Sequence, residues 1–172
     1  AFIIGLVANK VNAVNRLVSN KQGLLAFTTN HIFSIQGSNE DYITAAPPPR
    51  VRPEVSRGAS LLKPLTVDEV TFYETSKTGE IRALGYTFEI DGLRTNDVSL
   101  FSRHLFENYR IVSWVYAEKP ASAVIAVRDD GKILCMTWDQ AQQVWGWTVW
   151  ETDGNFVGIT VVTEQGEDRI WL

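Results

Sequence analysis

The chain has 172 residues, 45% of them hydrophobic and 21% charged. These proportions exclude a disordered polypeptide and allow one ordinary core, or several small repeats that share one. The formal charge of -4 is too mild to imply a partner, and residues 151–172 account for all of it: Glu151, Asp153, Glu164, Glu167 and Asp168 stand against Arg169 alone. No run of like charges reads as a nucleic-acid tail.

In chain order, Ala1–Ala8 is apolar but too short to span a bilayer, and it lacks the basic flank of a signal peptide. Val11–Val18 alternates weakly as a strand. A helix over Val11–Leu17 competes with that reading, but Asn12 and Asn15 weaken it. Leu24–Thr28 and His31–Gln36 read as strands, separated by a turn at Thr29-Asn30. Residues 38–53 read as a long irregular connection. In it Pro47-Pro48-Pro49 must be extended, and a rigid loop is preferred to a ligand for an SH3-type groove. Arg50, Arg52 and Arg57 could face an anionic partner, but a solvated strand face is the preferred reading.

Val67–Glu74 reads as one strand, and Glu80–Glu89 as a strand pair or one long strand bent at Gly85. Thr95-Asn96-Asp97 resembles a helix N-cap, which predicts one short helix over about Val98–Glu107. Arg110–Ala117 and Ala123–Arg128 follow as strands. Asp129-Asp130-Gly131 supplies the positive-φ positions of a tight hairpin, Lys132–Trp138 returns, and Val144–Trp150 forms a third strand after a polar loop. Phe156–Thr163 is a further strand, residues 164–168 a turn, and Arg169–Leu172 the opening of another strand. That apparent mid-strand ending, and the absence of an initiator Met, lead us to expect a fragment of a longer protein.

Strands thus recur every 8–12 residues, the spacing of an all-β sandwich, barrel or propeller. Ile111–Trp150 holds a four-strand unit of about 40 residues, close to one propeller blade. We therefore read residues 1–172 as a single all-β region of β-propeller-like blades of antiparallel strands. Its units lie at about 11–37, 51–90 and 110–150, with 156–172 opening another and one short helix near 98–107.

Residues suited to chemistry are few. His31 and His104 lie in no ligand motif, and Cys135 is the only cysteine, read as a buried structural thiol. No nucleophile-elbow, dinucleotide or P-loop motif occurs. Asp129-Asp130 and Glu167-Asp168 are neighbouring carboxylates, whereas glycosidases need two that face each other across a sugar, so both pairs read as turns. No calcium-loop pattern is present. We assign no catalytic, cofactor or metal residue from the sequence, and the chain is not expected to be an enzyme. Trp138, Trp145, Trp147 and Trp150 are the open question. Exposed, they could stack on sugars or bases; buried, they would wedge between sheets, which is the preferred reading.

The stretch Arg128–Leu172 adds a resemblance. It holds a D-G hairpin, a strand ending T-W, a polar loop with Gln, V-W-G-W, the turn T-D-G-N-F and the strand E-D-R-I-W-L. Upstream, V-R-P-E-V-S-R-G-A-S, V-T-F-Y-E, I-R-A-L-G-Y-T-F-E-I-D-G-L and D-V-S-L-F-S-R-H-L-F extend it to roughly Asn12. This order resembles the tail nozzle (tail tubular protein B) family of short-tailed bacteriophages. It departs from that family at Gly158-Ile159, where the usual pair is S-V, and it stops before a basic V-V-R-R stretch.

The resemblance implies a structural virion protein with β-propeller blades that assembles as a hexameric ring in the tail. It would contact adaptor and tail-fibre proteins, and DNA would leave through its lumen without sequence-specific binding. No membrane-spanning segment and no cofactor are implied. A mildly acidic chain suits such a conduit, because each Lys or Arg contact to phosphate adds salt-dependent affinity. The alternative is a carbohydrate-binding or glycan-degrading propeller that uses the Trp cluster as a stacking platform. An interaction-module propeller of cellular origin is a third expectation.

Overall fold

The computed structural model describes residues 3–9, 12–21, 23–38, 42–139, 141–142 and 144–172. Among them the fold is nearly all β, with fourteen strands in four antiparallel sheets and two short 3-10 segments. The first sheet is β1 (Val14–Asn20), β2 (Gly23–Thr28), β3 (Ile32–Gln36) and β4 (Arg50–Val55). The second is β5 (Leu65–Val67), β6 (Val70–Glu74), β7 (Ile81–Thr87) and β8 (Gly92–Asp97). The third is β9 (Ile111–Ala117), β10 (Ala123–Arg128), β11 (Ile133–Asp139) and β12 (Val144–Trp150). A hairpin of β13 (Thr160–Glu164) and β14 (Glu167–Trp171) forms the fourth. In each four-stranded sheet the spatial order follows the chain order, as in the up-and-down meander of a propeller blade.

The chain divides into two compact units. One holds residues 1–78 and 82–96; the other holds 79–81 and 97–172. In the first unit, alternation along β2 and β3 sends side chains to both faces of the first sheet. Leu25, Phe27 and Ile32 join Ala59, Tyr73, Leu84 and Leu93 in one fully buried cluster. Ala26, Phe33 and Ile35 face the other way, beneath Ile4, Leu6 and Ala8 of the leading segment. A strand buried on both faces must be apolar throughout, which is why L-L-A-F and I-F-S-I are nearly continuous. Fully burying each large side chain contributes roughly 1.5–3 kcal/mol.

The second unit is built on the third sheet. Ala117, Ile125, Val127 and Ile133 form one buried cluster with Phe156, Ile159, Val161 and Ile170 against it. Residues of opposite parity, including Trp114, Val124, Leu134, Met136 and Trp147, are buried on the other face. The fourth sheet is therefore fastened to the third through a shared apolar layer.

Several boundaries differ from the sequence reading. Arg50–Val55 is the fourth strand of the first sheet, not part of an irregular connection or the start of the second unit. Pro53 is accommodated because β4 lies at a sheet edge. The span Val67–Glu74 is a hairpin, with β5 and β6 closing at the pair Val67–Val70 and Asp68 at a φ of 52°. Thr95-Asn96-Asp97 does not cap a helix, because these residues end strand β8. The predicted helix over 98–107 is a 3-10 segment, Leu100–Leu105, broken by non-helical geometry at Ser102. Asp97 still serves the turn: its Oδ1 accepts the Ser99 N–H (2.9 Å) and hydroxyl (2.7 Å). Thr160, not Phe156, begins β13, and Phe156 and Ile159 ahead of it pack their side chains against the third sheet, while Val157 is exposed. Only Gly131 in the β10–β11 turn has positive φ (79°), so this is a three-residue loop closing on a left-handed glycine. The two-residue turn of β13–β14 has positive φ at both Gln165 and Gly166.

Candidate functional site

The β10–β11 turn is the most densely wired part of the second unit. Arg128 ends β10 almost fully buried, so its charge must be met inside the protein. Its Nε donates to Asp130 Oδ1 at 2.9 Å, and its Nη2 donates to Asp130 Oδ2. Nη1 donates to the Leu105 carbonyl at 2.9 Å, and Cζ lies 3.8 Å from the centre of the Tyr109 ring. Asp130 Oδ1 also accepts the Lys132 N–H at 3.3 Å. These hydrogen bonds, led by Arg128, hold the Asp130 carboxyl below its ordinary value, and Asp130 in turn raises the guanidinium. Asp129 donates its backbone N–H to the Arg110 carbonyl. The Asp130 carboxylate is thus occupied as an anchor, and the pair has the geometry of a turn.

The T-D-G-N-F turn closes over this glycine. Phe156 N–H donates to the Gly131 carbonyl at 2.9 Å, and a Cβ on Gly131 would fall 2.6 Å from the Asn155 Cβ. At the opposite end of β13–β14, Asp168 plays a similar part. Its Oδ2 accepts the Glu118 N–H at 2.7 Å and the Lys119 N–H at 3.3 Å, and Oδ1 accepts the Thr163 hydroxyl at 2.7 Å. The Thr163 hydrogen bond, then those from Glu118 and Lys119, lower the Asp168 carboxyl below its ordinary value. Asp168 lies within β14, so Glu167-Asp168 opens a strand and does not form a turn.

The tryptophans divide into three environments. Trp147 is buried; its Nε1 donates to the Val98 carbonyl at 2.9 Å, and its ring meets Phe106 edge-on at 5.1 Å. Trp138 and Trp145 sit opposite one another across β11 and β12, half-buried, with ring centres 5.8 Å apart. Trp150, on the other face of β12, is 46% exposed. The wedge reading therefore fits Trp147, fits the tilted pair in part and fails for Trp150. Cys135 is half-buried, not buried, and packs against the layer shared with β13–β14; burial raises its thiol.

The remaining candidates lie apart. His104 is exposed on the 3-10 segment. His31 is half-buried beside Phe33, with Nδ1 3.3 Å from Asn12 Oδ1. Arg50 and Arg52 are exposed on β4, and Pro47 and Pro48 are exposed in the loop before it. Among the described residues no group of three or more His, Cys, Asp or Glu is placed to hold a metal ion. No helix there is long and apolar enough to cross a membrane.

One concave site has no counterpart in the sequence reading. In the first unit, residues 29–30, 56–58 and 75–78 enclose an open polar cleft of about 120 Å³. Its walls are clasped together. Ser76 N–H and Oγ donate to the Gly58 and Thr29 carbonyls at 3.1 and 2.8 Å, and Ala59 N–H donates to the Thr28 carbonyl at 2.9 Å. Gly58 is obligatory, because a Cβ there would lie 1.9 Å from the Thr29 carbonyl oxygen. The sequence marks 29–30 and 75–79 as separate turns, and no local pattern links them. A glycine between two polar turns is the only signal that could have pointed here.

No protein-family model matches the chain, and no curated protein matches it.

Proposed function

We propose that the chain is a structural part of a phage tail nozzle, a ring-forming subunit through whose lumen DNA leaves the virion. One observation carries the reading beyond the resemblance itself: the residues that spell the motif serve as fasteners between successive sheets. Gly131 and Asn155-Phe156 lock the third sheet to the chain leading into β13, and Asp168 ties β14 to the turn after β9. Strand order and turn chemistry joined in this way serve rigidity, which a conduit needs. The consecutive four-stranded meanders suit a propeller built into such a subunit. In this reading the subunit assembles as a hexamer and meets adaptor and tail-fibre proteins. Antibody labelling of intact virions, viewed by electron microscopy, tests it. The proposal expects label on the tail below the capsid; label on the capsid shell, or none on purified particles, counts against it.

A second reading, carbohydrate binding, draws on the half-exposed Trp138–Trp145 pair, whose neighbouring tilted rings could receive a sugar face. The burial of Trp147 and the engagement of Asp130 leave this platform small. Oligosaccharide titration followed by tryptophan fluorescence distinguishes the two: a saturable change abolished by Trp145→Ala would favour the sugar site.

A further inference from the structure

The polar cleft of the first unit concentrates positive charge in a chain whose net charge is -4. Arg57 and Lys77, both exposed, line it together with hydroxyl and amide side chains, and no carboxylate lines it among the described residues. Arginine offers a planar fork that matches two oxygens of an oxyanion, and lysine offers a compact charge with three donors. Hydroxyls at the rim, including the Thr75–Thr78 pair at 2.8 Å, can redirect a proton toward an added acceptor. Arg57 and Lys77 each make other interactions in the fold, with which a ligand would compete. The clasped backbone around Gly58 fixes the walls.

We propose that this cleft binds a small phosphorylated molecule, with its phosphate between Arg57 and Lys77. At about 120 Å³ the cleft is smaller than a drug-sized ligand site. It has room for a phosphate group, and its open mouth leaves the rest of a small molecule outside. The concave shape, closed by three turns, favours a compact phosphoester over an extended nucleic-acid backbone, which would need a basic stripe.

The test is a titration followed by amide NMR at constant ionic strength, with inorganic phosphate, glycerol 3-phosphate, chloride and a short single-stranded oligonucleotide as probes. The expected result is saturable shifts at Gly58, Ser76 and Thr78, with a dissociation constant on the order of 1 mM or tighter for phosphate. Glycerol 3-phosphate should bind at least as well. Arg57→Gln and Lys77→Ala should each weaken binding by about tenfold, one decade of affinity. Unchanged amide shifts at Leu25, Phe33 and Leu84, in the cores of the same unit, verify that these variants remain folded. Equal shifts with chloride, variants that bind like the parent, or glycerol 3-phosphate binding tenfold more weakly than phosphate would each overturn the proposal. So would an oligonucleotide that binds far more tightly than either small probe.

Discussion

The hairpins β10–β11 and β13–β14 both turn on a left-handed glycine, yet they are held in different ways. At the first, Gly131 is enclosed by Asn155, and its neighbours Arg128 and Asp130 are tied to Leu105, Tyr109 and Lys132. At the second, Gly166 has open space around it, and the hairpin is fixed two residues further on through Asp168 and from one face through Val161 and Ile170. The same turn chemistry therefore serves two purposes. One glycine is enclosed at a junction of several elements; the other reverses the chain in open space and leaves the anchoring to Asp168 beside it.

Substitutions should separate these purposes. The largest effect belongs to Trp147→Ala, which removes a buried ring, its contact with Phe106 and its bond to Val98. Urea unfolding should register a loss of about 3–5 kcal/mol. Trp150→Ala, on the exposed face of β12, should cost less than about 1 kcal/mol in the same assay. Arg128→Ala removes both guanidinium donors from Asp130, leaving it the Lys132 N–H, and takes the guanidinium donor from the Leu105 carbonyl; it should cost about 3 kcal/mol. A loss below about 1 kcal/mol would mean that the junction is ornamental.

The glycines give the closest comparison. Gly131→Ala meets both an unfavourable φ and the Asn155 side chain, for about 2 kcal/mol or more. Gly166→Ala meets the unfavourable φ alone, for about 1 kcal/mol. Equal losses would show that enclosure by Asn155 does not matter.

The smallest effect is the response to acid. Asp130 and Asp168 both have carboxyls held below their ordinary value in the fold. Their contribution is fully present above the unfolded value of about 3.9 and is lost as pH falls through the lower folded values. Stability should therefore decline on acidification below about pH 4. Asp130→Asn and Asp168→Asn should each flatten that limb of a stability-versus-pH curve. A limb unchanged in both variants would assign acid sensitivity to other groups.

The sequence carried the all-β class because Val, Ile and aromatic residues recur between Gly, Asn and Asp turns, a pattern set by local backbone preference. It missed β4 because Arg50-Val51-Arg52-Pro53 is an edge strand; its ladder bonds go to one neighbour only, so its residues need not look buried. It mistook Thr95-Asn96-Asp97 for a cap because the same side-chain oxygen that caps a helix also closes the turn onto Ser99. The Asp129–Gly131 turn was legible, but its wiring was not, since Leu105 and Tyr109 reach Arg128 only through the fold. The tryptophans were misjudged as a group: strand parity separates Trp150 from the rest, but burial depends on which neighbouring element covers each face. The polar cleft joins three turns far apart in the chain, so no local pattern marks it.

The proposed nozzle role requires a subunit that forms a ring. Native mass measurement of the protein, alone and mixed with portal-adaptor rings, tests it most directly. The account predicts a hexamer that associates with the adaptor ring; a persistent monomer in the presence of that ring would contradict it.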